Sequence, residues 1–502
     1  MTFNSSSFFL FFPVIVLLYY LAPCAWRCAV LLLGSWLFYA AYSPALLLYL
    51  ILASFVNYLI GIAMEKVCYS DRKRWLIAGI VVDLAVLAFY KYFNFFSITI
   101  HSITKANKEP LILHLLVPLG ISFITFTLIS YLVDIYRDKI SVEKDFIRFA
   151  VYVAFFPKIA QGPIQRADRF LPQLDEKHSF DVVLVTEGIL MMLYGEFMKM
   201  VVADTAGIAV DCIFAHRDSF LGSTLLLGTI LFALQIYCDF AGYSLIAIGA
   251  ARVLGFKIER NFKQPYFSRS VGEFWRRWHM SLNTWLQQYV YFPLGGSRGS
   301  DAKTTANVLI TFGLSGLWHG ADWGYVIWGI LNGVYVSFEN LISSILLKEN
   351  IDIHNSQQGV LQKIFGYILA LVSRLVTFIL VSFSWIFFRA QTLGASLLII
   401  KRIATQFRFL KFIRFVKEKV GLGAGTLLYD LDVVYGWRKL IMGLLVVFIV
   451  DLIAQKIDLP STLARSNQGI RCTIEIALLM AIIVFGVYGV GYNSANFIYA
   501  GF

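Results

Sequence analysis

Long apolar runs, broken by short polar and often basic stretches, dominate the pattern of this chain. A membrane helix needs about 20 mostly apolar residues. Phe8 to Tyr20, Ala29 to Tyr42 and Leu46 to Met64 read as the first three, the last two parted near Pro44. Glu65 to Arg74 is a basic loop, which three crossings from an outside start place in the cytoplasm, as lysine and arginine bias demands. Trp75 to Phe96 crosses outward, Ile98 to Val117 is a mixed external loop with room for a short surface helix, and Pro118 to Tyr136 crosses back. Arg137, Lys139 and Lys144 follow on the cytoplasmic side, so two separate loops agree. The first stretch has no basic n-region, and an uncleaved first helix is expected.

After Phe146 the pattern loosens. Phe155 to Arg166 packs two prolines, a glycine, a lysine and an arginine behind an apolar run. It reads either as a helix end with a surface loop or as a re-entrant turn lining a cavity, the setting in which broken backbone is tolerated at membrane depth. Phe180 to Phe214 is a long helical region holding Glu187, Glu196, Lys199 and Asp204. Leu221 to Leu254 is strongly apolar around Asp239 and Tyr243; Asp239 is an intramembrane charge with a structural or a catalytic role. Val271 to Tyr291 predicts a helix lying along the interface or tucked into the protein, with Trp275, Trp278, Leu282, Trp285 and Tyr289 on one face and Arg276, His279, Asn283 and Gln287 on the other.

Val308 to Trp318 and Tyr325 to Ile342 form two further spans, with Thr311 to Gly324 where they meet and Gly313, Gly316 and Gly320 along one side of the first. A polar connection, Lys348 to Gln362, leads to the span Phe365 to Phe388; Lys401 to Lys419 reads as a basic amphipathic helix on lipid headgroups, and Leu440 to Ile453 and Ile474 to Tyr488 close the series. The expected fold is an all-α polytopic membrane protein with about eleven transmembrane helices and re-entrant or interfacial helices besides. It is read as a single integral-membrane domain, residues 1–502, with N-terminal spans in 8–136, a catalytic core in 146–345 and C-terminal spans in 365–490.

Composition narrows the class. With 59% hydrophobic and 15% charged residues there is too little charge to cover a soluble surface. The net charge of +12 fits cytoplasmic loops and anionic membrane lipid. Because the basic residues are interleaved with membrane segments, no nucleic-acid partner is expected. The six cysteines show no paired metal-ligand spacing, so neither a metal site nor a disulfide framework is expected.

Two histidines stand out. His319 lies between two spans and His279 on the polar face of the buried or interfacial helix, 40 residues earlier, with a Gly-rich turn between them. A neutral imidazole can take the proton of an alcohol and make it a nucleophile towards a thioester carbonyl. A second imidazole, or Arg276, could position the acceptor or stabilise the oxyanion. No Gly-x-Ser-x-Gly elbow offers a serine nucleophile. The neighbouring Trp318, Trp323 and Trp328 suggest a shaped cavity. Trp318, Arg276, Asn283, Asp239 and Tyr243 are the candidate substrate-binding residues.

These stretches resemble the membrane-bound O-acyltransferase family, and its bacterial alginate O-acetyltransferase branch most of all. The resemblance runs through Lys91-Tyr-Phe-Asn94, Pro118 to Ser122, Tyr131 to Arg137, Phe156-Pro157 with Gln161 to Ile164, Asp239 to Ser244, Glu273 to His279, Tyr291 to Gly296, Gly316 to Gly320 and Phe497-Ile-Tyr499. It departs at Cys238, at Ala241 and in the basic stretch after Ala390. The resemblance implies that His319 is the essential catalytic residue and His279 the second signature position, in a ring of tilted helices around a tunnel. It implies no bound cofactor, and a donor substrate that is acetyl-CoA or an acyl carrier protein thioester. Extracytoplasmic acetyltransferase partner proteins and a polysaccharide acceptor are implied at the far side of the bacterial cytoplasmic membrane. Two alternatives stand beside this: a transporter or flippase, and a non-catalytic scaffold that passes the acyl group on.

Overall fold

The computed structural model describes residues 1–105, 109–348, 360–390, 392–408 and 434–488. No strand occurs among them. The first helices follow the apolar runs closely: α1 (Ser6–Leu21), α2 (Arg27–Ala40) and α3 (Pro44–Lys66). Local chemistry sets their starts. The Ser5 and Ser43 side chains accept from the amides of Phe8 and Leu46, and Pro44 fills the first turn of α3, where no amide is needed.

α4 (Tyr69–Leu87) does not stop where an external loop was expected. A π turn at Ala88–Tyr92 carries it into α5 (Phe93–Thr104). Next come α6 (Ile121–Tyr136), α7 (Phe146–Ala154), and two single turns, α8 (Phe156–Ile159) and α9 (Ala167–Phe170). The stretch from Phe155 to Gln165 around α8 is buried throughout, which favours the re-entrant turn over the surface loop. Its bonds point inward: the Phe156 amide donates to Ser35 Oγ and the Ile164 amide to Ser281 Oγ.

The centre is α10 (Val182–Glu196), a π turn (Phe197–Ala203), α11 (Asp204–Ala215) and the 32-residue α12 (Gly222–Val253). α12 is apolar all round and buried over most of its length, as a helix inside a bundle must be. It lies antiparallel to α10 at two glycine pairs, Gly188 with Gly249 and Gly195 with Gly242. A Cβ on Gly242 would stand 2.6 Å from the Gly195 carbonyl oxygen, so the backbones meet only because both lack side chains.

The interfacial segment is not one helix. It divides into α13 (Val271–Arg277) and α14 (Met280–Leu286), ending in a π turn, Gln287–Tyr291. The predicted division into an apolar and a polar face fails with it, because the chain turns at His279. α15 (Asp301–His319) and α16 (Trp323–Lys348) form a tight hairpin in which Gly316 and Gly329 admit the facing backbone. α17 (Val360–Arg389), α18 (Leu393–Gln406), α19 (Val434–Ala454), the short α20 (Leu459–Ala464) and α21 (Gln468–Phe485) complete the described chain. The basic helix expected at Lys401 to Lys419, the polar connection after Lys348 and the Phe497 motif lie largely outside the described residues.

Among the described residues five helical segments are long and apolar enough to cross a membrane, and three shorter apolar helices accompany them. The chain is an all-α, multi-pass membrane protein. Its basic loops gather on one face. Lys144 pairs with Glu65 at 3.1 Å and Arg72 with Asp138 at 2.7 Å, Arg148 pairs with Asp175, Gln173 bonds the backbone of Lys257, and Arg260 pairs with Asp458 at 2.8 Å. Such exposed pairs contribute little stability, about 0–1 kcal/mol each; they show that loops far apart in sequence share one end of the bundle.

Candidate active site

His319 is the last residue of α15, and Gly320 leaves the helix in an extended conformation. A helix end buried in a membrane protein must find donors for its last carbonyls. Here α4 and its π turn supply them. Tyr92 donates its hydroxyl to the Leu317 carbonyl at 2.8 Å. Lys91 Nζ donates to the Trp318 carbonyl at 2.6 Å, to Ser122 Oγ at 3.1 Å and more weakly to the His319 carbonyl at 3.4 Å. A cation at a helix C-terminus also opposes the negative end of the helix dipole. Lys91 thereby holds the peptide units on which His319 and Trp318 are mounted.

His279 arrives differently. It joins α13 to α14 in the left-handed conformation, φ +43°, uncommon for a residue with a Cβ. Three anchors hold the turn. The Met280 amide donates to the Asn261 carbonyl at 2.9 Å, Ser281 Oγ donates to Asn261 Oδ1 at 2.6 Å, and the Lys263 amide donates to the Arg277 carbonyl. Upstream, Glu339 of α16 accepts from the amides of Val271 and Gly272, pinning the start of α13. The bend turns the imidazole inward, and His279 is 1% exposed, as is His319.

The two rings lie 6.1 Å apart, centroid to centroid. Trp318 touches both, at 5.7 Å from His279 and 5.0 Å from His319. Phe240 of α12 packs on His279 at 4.7 Å, while Trp328 of α16 and Phe388 of α17 close on His319 at 5.1 and 5.4 Å. Buried polar atoms face little that could pair them: among the described residues both His279 nitrogens and the indole nitrogens of Trp278, Trp318, Trp328 and Trp385 have no hydrogen-bond partner. Buried donors without partners are rare and call for an explanation. Together they make an aromatic chamber with one imidazole from each of two helix ends and several indole N–H groups. It can accept and return a proton and can donate hydrogen bonds to a developing oxyanion. Among the described residues no group of three potential ligands could hold a metal ion.

The other sequence candidates divide. Asn283 is near: its amide donates to the Trp275 carbonyl, and it lines, with His279, Thr311 and Ser315, a cleft of about 20 Å³. Arg276 is exposed on α13. Asp239 is buried and paired with Lys199 at 2.7 Å, a lysine that also binds Asp204 at 2.7 Å. Tyr243 packs on Phe3 at 4.8 Å. Trp323 is half exposed and packs on Phe95, outside the cavity it was read to shape. Lys91 carried no role in the sequence reading, yet a lysine inside the apolar run Trp75 to Phe96 was as visible a signal as Asp239.

The membrane-bound O-acyltransferase family model matches residues 78–382, from α4, which leads to Lys91, to α17 just before Trp385 and Phe388. The chain belongs to the membrane-bound O-acyltransferase family. Among its curated relatives, a Pseudomonas aeruginosa protein named "Probable alginate O-acetylase AlgI" is 39% identical over 399 residues, covering 78% of this chain and 73% of the relative. A peptidoglycan O-acetyltransferase of Helicobacter pylori is 30% identical over 436 residues, 80% of this chain and 79% of the relative. A teichoic acid D-alanyltransferase of Bacillus subtilis is 28% identical over 236 residues, 44% of this chain and 58% of the relative. This member of the family is an O-acyltransferase.

Proposed function

We propose that this acyltransferase moves an acetyl group from a cytoplasmic thioester, acetyl-CoA or an acyl carrier protein, to a hydroxyl of a cell-envelope polysaccharide, directly or through an extracytoplasmic partner protein, in the bacterial cytoplasmic membrane. Alginate, peptidoglycan and teichoic acid in the names of the relatives support an envelope polymer as acceptor. The observation that carries the reading is the pairing of His279 and His319 in one buried aromatic chamber.

His319 takes the proton of the acceptor hydroxyl as the oxygen attacks the thioester carbonyl carbon. The carbonyl oxygen becomes an oxyanion, for which His279 and the indole N–H groups of Trp318 and Trp328 are the donors at hand. The C–S bond breaks, the ester forms, and the thiolate leaves with the proton from His319. With donor and acceptor on opposite sides, each turnover carries one proton from the hydroxyl to the thiol.

Membranes carrying wild type, His319→Ala or His279→Ala, supplied with labelled acetyl-CoA and the partner proteins, test this. General-base loss lowers rates about 10²–10⁴-fold. Undiminished transfer by His319→Ala at normal protein level would sink the base assignment. Label crossing the membrane with no covalent product would point to transport instead.

A further inference from the structure

A cavity of about 560 Å³ lies between α11, α19 and α21 and shares no lining residue with the chamber. That volume is in the range of small-molecule sites. The two flanking helices give its height in the bundle. α19 runs from Val434 to Ala454, and Asp458, just beyond, pairs with Arg260 on the basic face. The cavity is lined by Gly436 to Leu440, about four to five turns back from Ala454, and by Phe485, the last residue of α21. It therefore lies towards the opposite end of the bundle.

Three features of its lining point the same way. The first is where it opens. Ile208, Met442, Val484 and Phe485 line the cavity and are also 46–66% exposed. Exposed apolar side chains on membrane helices face hydrocarbon, so the entrance is sideways, from the bilayer. An occupant must be an amphiphile already dissolved there. The second is charge. Arg438 and Lys439 are the only ionisable groups in the lining, and both are cations. Lys439 Nζ donates to the Phe485 carbonyl at 3.2 Å, which fixes it at the end of α21. Lysine and arginine gather on the cytoplasmic side of membrane proteins, and that bias does not account for a pair at the end opposite the basic face. A lipid phosphate meets both cations. The third is Thr205 Oγ, which is shut off from solvent with no hydrogen-bond partner among the described residues and lines the same cavity. Hydrocarbon alone would leave this hydroxyl unmet, whereas the ester carbonyl of a glycerolipid would accept from it.

We propose that this cavity binds one anionic phospholipid, its phosphate between Arg438 and Lys439 and an acyl chain laid between α11, α19 and α21. The site is separate from the acyl-transfer reading and does not rest on it.

The test counts retained lipid. Full-length protein purified in detergent is titrated with phosphatidylglycerol and, in parallel, with phosphatidylcholine of the same chains, and bound copies are read by native mass spectrometry. One copy of phosphatidylglycerol should be held at least about tenfold more tightly than phosphatidylcholine. Arg438→Gln/Lys439→Gln should abolish this preference. Arg438→Gln alone, at an exposed position, should lower it several-fold and keeps the test alive if the double variant does not fold. Lys73→Gln/Arg74→Gln, which removes two exposed cations from the basic face, should leave it unchanged. Met442→Trp, which narrows the entrance, should weaken phosphatidylglycerol binding about tenfold. Equal affinity for the two lipids in the wild type overturns the proposal. So does an undiminished preference in the Arg438 variants, or an equal loss in Lys73→Gln/Arg74→Gln. Full retention by Met442→Trp would put the lipid on the outer surface and overturn the cavity as its site.

Discussion

Two residues set the geometry of the site, and each makes a separable prediction. Lys91 fixes the end of α15 through the Trp318 and His319 carbonyls. Lys91→Met should lower kcat more than it changes donor KM, and should cost about 1–3 kcal/mol of stability from carbonyls left unpaired. Lys91→Arg should recover part of both; a full loss of folded protein in both variants would mark Lys91 as structural only. His279 tests the converse. Asparagine tolerates the left-handed conformation, so His279→Asn should keep the α13–α14 turn and fold at near wild-type thermal stability while losing most transfer activity. Melting temperature and initial rate, measured on one preparation, separate the two effects.

At the scale of elements, α10 and α12 approach because Gly188, Gly195, Gly242 and Gly249 leave room for facing carbonyls. Gly242→Leu places a side chain against the Gly195 carbonyl and the backbone of Lys199. Overpacking typically costs about 1–3 kcal/mol, and here the obstacle is backbone, so the upper end is expected. The readout is a lower melting temperature and a smaller monodisperse fraction in detergent; the exposed Gly366, whose Cβ would meet nothing within 4 Å, is the control. The same scale shows where sequence pattern misleads. The apolar positions of Val271 to Tyr291 fit a continuous helix, yet the chain bends at His279, because bonds to Asn261 and burial of the imidazole outweigh the local periodicity.

For the whole molecule, the loops joined by Lys144–Glu65, Arg72–Asp138 and Gln173–Lys257 lie at one end, and from their excess of lysine and arginine we predict that this end faces the cytoplasm. Single cysteines at Lys73 and Lys257 should react with a membrane-impermeant maleimide only after the cells are opened, and one at His101 in intact spheroplasts. Labelling of Lys73→Cys and Lys257→Cys from opposite sides would contradict the shared face. The chamber itself draws on every part of the chain. Phe123 comes from the N-terminal spans, the histidines from the centre and Phe388 from α17.

What solvent and backbone demand locally can be read from the order of residues. Apolar runs long enough to bridge a bilayer must become helices, because lipid offers no other partner for their backbone groups. The apolar runs of the first three spans, an all-α chain, and His319 as a costly polar residue between spans were legible for that reason, and the resemblance named the chemistry. Tertiary structure alone decided what depends on contacts between distant segments. It bent the chain at His279 and buried that ring beside His319. It set Lys91 under the end of α15, withdrew Asp239 into a pair with Lys199, and left Arg276 and Trp323 exposed. A lone charge in an apolar run signals only that it needs a partner, and the packing of helices far apart in sequence chooses which.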